Sequence, residues 1–96
     1  MKKAIEAGKC YLLWGESIPV LRVYRWPNGV LCANGIGVLG EPFHLRENNS
    51  FLSEGGLIGT EITPEKAKEL AISICGNQSM VNAIMEGGEY SYPEAH

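Results

Sequence analysis

Four residues could carry nucleophilic or metal chemistry: Cys10, Cys32, Cys75 and His44. As a set they would make a Cys₃His zinc site. Structural zinc, however, rests on short paired spacings such as C-x-x-C, in which one turn preorganises two ligands. Here each cysteine stands alone among apolar neighbours, so the three read as reduced, buried thiols and no metal is expected. Cysteine catalysis would need a thiolate stabilised by a helix N-terminus or an imidazole, and a third group to orient that imidazole. Cys75 falls at the end of a helical stretch, where the dipole opposes a thiolate, and Cys10 and Cys32 fall in strand-like runs. Nothing in the sequence orients His44, and His96 is the last residue. A small Cys–His enzyme is therefore only an alternative reading, and no catalytic residue is assigned.

Gly35-Ile36-Gly37-Val38-Leu39-Gly40 matches the letters of the dinucleotide fingerprint GxGxxG. That fingerprint works because a helix opens inside it and holds a pyrophosphate at its N-terminus. Here Glu41-Pro42 and a strand-like run follow instead, so the glycines are expected to serve a bent or bulged strand and no cofactor is assigned. Aspartate is wholly absent, so any carboxylate chemistry would rest on glutamate alone.

The elements that must position these residues are legible mainly toward the C-terminus. Over 63–76 the sequence predicts a helix: Thr63 as N-cap, Pro64 at the first position, and Ala67, Leu70, Ala71, Ile74 and Cys75 on one stripe. Gly76 supplies the stop. Asn77 can cap a second short helix carrying Met80, Val81, Ile84 and Met85, ended by Gly87-Gly88. Residues 1–8 read as a helical turn or a frayed end. Upstream of Thr63 the runs 9–14, 18–26 and 30–33 read as strands, with shorter ones at 43–46 and 51–53. Pro27-Asn28-Gly29 is a hairpin turn with glycine in its left-handed position. The expected fold is α+β: a small antiparallel β-meander of four to five strands, one C-terminal helix packed on one face, and a second short helix. Residues 1–88 are expected to form this single domain, with 89–96 a flexible acidic tail. Leu12, Leu21, Val23, Leu70 and Ile74 are expected to share its core.

Strand alternation then predicts the surface. If Leu21 and Val23 face the helix, Val20, Arg22, Tyr24 and Trp26 emerge together on the other side. Pairing adds Tyr11 to that side, and Arg25 flanks it. So short a chain leaves no second layer to cover this face. Tyr, Trp and Arg are the residue types that dominate interface hot spots. The candidate partner-binding residues are thus Tyr11, Arg22, Tyr24, Arg25 and Trp26, joined by Glu86, Glu89, Tyr90 and Tyr92 near the acidic end.

At 45% apolar and 20% charged residues, the chain can fill one small core and is not a disordered segment. Its net charge is −3, and the distribution is uneven. Residues 1–46 hold six basic and three acidic side chains, whereas 47–96 hold two and eight. That balance disfavours a nucleic-acid ligand, although the basic and aromatic sheet face keeps single-stranded nucleic acid as the alternative. The start, MKKAIEAGK, has no apolar core of a signal peptide, and no run approaches a membrane span, so a cytoplasmic location without membrane contact is expected. The function that follows is a non-enzymatic, protein-binding module acting by surface occlusion of a larger partner complex. In size, fold class and charge layout the chain is similar to small accessory proteins of phages and mobile elements. Those include host-defence inhibitors of the anti-CRISPR kind, which occupy a surface of a larger complex.

Overall fold

A computed structural model describes residues 2–13, 17–25, 27, 29–46 and 58–87. Six strands, β1 (Lys2–Ala4), β2 (Cys10–Leu13), β3 (Ile18–Arg25), β4 (Leu31–Ile36), β5 (Pro42–Arg46) and β6 (Ile58–Ile62), precede two helices, α1 (Pro64–Cys75) and α2 (Gln78–Glu86). All strand pairs are antiparallel, and the sheet order is β1-β6-β2-β3-β4-β5. The α+β class is as the sequence predicts. The meander holds for β2 to β5, and β6 then returns between β1 and β2. The N-terminal turn expected over residues 1–8 is replaced at Lys2–Ala4 by strand β1, which pairs with β6. The strand expected over 51–53 lies outside the described residues, as does the 89–96 tail.

Both helices begin and end where their caps dictate. Thr63 Oγ1 accepts the Lys66 N–H at 3.1 Å, Pro64 follows as the first helical residue, and the Gly76 N–H returns to Ile72 O at 2.7 Å. Asn77 Oδ1 accepts the Met80 N–H at 3.0 Å, and Gly87 ends α2 at φ 79°. The two helices lie on one face of the sheet, where Ala67, Ala71, Met80, Val81 and Ile84 pack with Cys10, Leu21 and Ile36. Small residues on α1 let its backbone approach the strands closely. Leu12 and Leu70 are corrections to the expected core: both are half-buried and outside the buried clusters, while Ile74 packs at the margin of this one.

The opposite face is also closed. Tyr11, Leu13, Ile18, Val20, Val23, Leu31, Ala33 and Leu45, with Ile5 beyond β1, form a second buried cluster, against which Phe43 packs. The expectation of an uncovered sheet face is therefore overturned. Gly35 sits where a Cβ would fall 2.7 Å from the Phe43 ring and against the Pro19 carbonyl, so only glycine admits that ring.

A bulge in β3 decides which residues share a face. Val20 pairs with Gly35 but Arg22 pairs with Asn34, leaving Leu21 as the extra residue. Gly35 and Asn34 are consecutive and point to opposite faces, so Val20 and Arg22 do too. Leu21 lies in the helix-side cluster and Val23 in the other. Leu21 and Val23, expected to point inward together, are thus split by one inserted residue.

Candidate functional site

Past the bulge, Arg22 and Tyr24 emerge together, as the alternation predicts, but on the side that carries the helices. The register continues this row across three strands: Arg22 faces Asn34, and Asn34 faces His44. Tyr24 in turn faces Cys32. The helices leave this end of the sheet to polar side chains. Asn34 is buried at 1% exposure, Arg22 and Tyr24 are half-buried, and His44 is exposed.

Two contacts hold the group in place. The Arg22 guanidinium lies over the Tyr24 ring, 4.1 Å from its centroid, a cation–π stack. Gly87 lies close to the same guanidinium: a Cβ there would come 2.7 Å from its central carbon. The cation therefore lies close to both the end cap of α2 and an aromatic ring on β3. Asn34 Oδ1 is the second hub. It accepts the Tyr24 hydroxyl at 3.3 Å and lies 3.1 Å from His44 Nδ1. An amide oxygen can only accept, so Nδ1 carries the proton and Nε2 is the acceptor nitrogen of the ring. Although His44 is exposed overall, partial desolvation of its ring lowers its pKa from the ordinary value.

The remaining expected site residues are distributed as follows. Tyr11 is a correction: it is fully buried on the far face, and its hydroxyl accepts the Glu6 N–H at 2.9 Å. It cannot meet a partner without unfolding the core. Arg25 is exposed and donates to Gly29 O at 2.7 Å, clasping the β3–β4 hairpin. Glu86 is exposed in the last turn of α2, next to the Gly87 that Arg22 abuts. Trp26, Glu89, Tyr90 and Tyr92 lie outside the described residues. Sequence reasoning missed Asn34. Its signal was a lone amide inside the apolar strand LCANGI, a setting in which a buried polar group must find partners.

The thiols are spread over the molecule. Cys10 is buried and donates to Leu21 O at 3.2 Å, and burial, with Glu65 nearby, pushes its pKa up. Cys32 is fully buried, with Val30 O at 3.9 Å. Cys75 Sγ accepts the Asn77 N–H at 3.4 Å. Among the described residues no cluster of His, Cys or Glu could hold a metal ion. A hollow of about 580 Å³ lies between β2, β6 and the start of α1, lined by Lys9, Cys10, Glu61 and Thr63 among others. Lys9 there is met by Glu6 at 3.0 Å and Glu61 at 3.5 Å, so its charge is already balanced.

No family model, curated protein or solved structure matches the chain. No helix among the described residues is long and apolar enough to cross a membrane.

Proposed function

We propose that this protein is a non-enzymatic binding module that covers a surface of a larger protein complex, with the Arg22–Tyr24 face as its contact. The observation that carries this reading is the stack of Arg22 on Tyr24 beside the exposed His44. Held flat before any encounter, the two side chains lose little rotamer entropy on docking, and Arg and Tyr are the types that anchor hot spots. The exposed Glu86 extends the same rim at the end of α2. A phage or mobile-element inhibitor of the anti-CRISPR kind is the specific form of this function that the small size and uneven charge favour.

Single-stranded nucleic acid is the competing ligand, since Arg, Tyr and His on a sheet form a stacking platform. One π-face of Tyr24 is already occupied by Arg22, and a base would have to displace it. Co-purification from the native host, followed by titration of the purified pair, tests the proposal. Arg22→Ala is expected to weaken a protein partner by about 2 kcal/mol, the hot-spot scale. Tight binding of oligonucleotides with a steep salt dependence, and none of protein, would replace this reading with the nucleic-acid one.

A further inference from the structure

Among the described residues, the β4–β5 hairpin carries the exposed large apolar side chains. Val38 is 63% and Leu39 89% exposed. The turn that holds them is tight. The Gly40 N–H donates to Gly37 O at 2.9 Å, and the Gly37 N–H donates to Glu41 O at 2.8 Å. Gly40 takes the left-handed position at φ 84°, and a Cβ on it would lie 3.3 Å from the Cys75 backbone. The tip is therefore braced against the end of α1. This is a three-residue hairpin loop with a glycine bulge, and its central positions accept nearly any polar residue. Valine and leucine bring no local advantage there, and both remain mostly in water.

We propose that Val38 and Leu39 form a rigid apolar knob that inserts into an apolar pocket, rimmed by basic groups, on a protein partner. The rim follows from charge. Glu41 is exposed at the base of the tip, and the last turn of α1 beside it carries no basic residue to offset its carbonyl ends. A second copy of this chain is a poor occupant. Two knobs meeting tip to tip would bury only a few side chains, far below the roughly 1,200 Å² of a stable interface. An anionic lipid surface is disfavoured by Glu41 and by the net charge of −3. The inference rests on the protein-binding reading above, but not on the Arg22–Tyr24 face.

The test places the photo-reactive residue p-benzoylphenylalanine at position 39 of the full chain in its host, with position 66 as an exposed control. A discrete protein adduct from position 39 but not from 66 is expected. The adduct partner is then identified, purified and titrated. Leu39→Ala should weaken it at least tenfold, Val38→Ala less, and Glu41→Gln should slow association at low salt. Leu39→Ala should leave the unfolding midpoint unchanged, because the side chain remains mostly in water. Unchanged affinity with Leu39→Ala, or no adduct at position 39, overturns the knob. So does Leu39-dependent binding to phosphatidylcholine vesicles with no protein adduct. If Arg22→Ala weakens the partner while Leu39→Ala does not, the knob fails and the face stands. The reverse pattern keeps the knob and removes the face.

Discussion

The sheet face beneath α1 and α2 and the face turned away from them are both apolar, but they are filled in different ways. Away from the helices, bulky side chains from β2, β3, β4 and β5 make one continuous cluster, with Tyr11 its largest fully buried member. Beneath the helices the filling is smaller and interrupted. Ala67, Ala71 and Cys10 sit under the helix bodies, and beyond them the same strands carry Arg22, Tyr24, Asn34 and His44. Among the described residues the far face of β2 to β5 is thus given largely to apolar packing, while the other divides between packing and a polar, half-exposed group. The boundary is set by the β3 bulge, which sends Arg22 to the helix side while Val20 and Val23 stay with the core.

The sharpest way to break this contrast is truncation of the largest residue on the far face. Tyr11→Ala should cost about 3–5 kcal/mol in denaturant unfolding, the range of buried aromatic truncations. A loss below about 1 kcal/mol would return Tyr11 to the surface, as surface changes usually cost little. On the helix side, Ile84→Ala should cost about 2–5 kcal/mol, whereas the half-buried Leu70→Ala should cost clearly less. Equal losses would mean that α1 is rotated from its observed position.

Gly87 lies where the helices meet the polar group of the helix side. An alanine there must hold a left-handed backbone, for a loss of about 1–2 kcal/mol, and displace the flexible end of Arg22. A neutral outcome in thermal unfolding would show that residue 87 does not hold the left-handed conformation.

The smallest expected effect concerns pH. His44 has its pKa lowered in the fold, so the unfolded chain binds the proton more readily. Its contribution to stability is complete above the ordinary pKa of about 6.5 and is lost as pH falls from there toward the folded value. His44→Gln should flatten the unfolding midpoint as pH falls below the ordinary imidazole pKa of about 6.5. An unaltered profile would remove burial as the cause.

What the sequence made legible was what is encoded locally. Thr63, Pro64, Gly76, Asn77 and Gly87 mark their helix ends through contacts within one turn. The 27–29 turn marks its hairpin through Gly29, whose φ is 89°. The GxGxxG letters also resolve locally: Gly35 admits the Phe43 ring, and Gly40 closes the next hairpin. The assignment of faces depends on the whole strand, and there the reading failed at one residue. No side-chain signal marks Leu21 as a bulge, because the bulge is a mismatch of register with β4 and not a property of β3 alone. One slip in phase moved Val23 to the far cluster and left Val20 opposite Arg22. Pairing with a distant segment likewise hid β1, whose partner β6 lies more than half the chain away. Asn34 and His44 became a pair only when β4 and β5 were set side by side.

The central claim, that Arg22 and Tyr24 act as one preorganised docking unit, is tested most directly by a double-mutant cycle on partner affinity. Arg22→Ala, Tyr24→Ala and the double variant are each titrated by calorimetry against the purified partner. Because the stack fails when either member is lost, each single variant should weaken binding by about 2 kcal/mol, roughly thirtyfold. The double variant should then fall well short of the sum of the two. Affinities within about twofold of wild type for both single variants would contradict the account, since neutral contacts of that size do not make a hot spot.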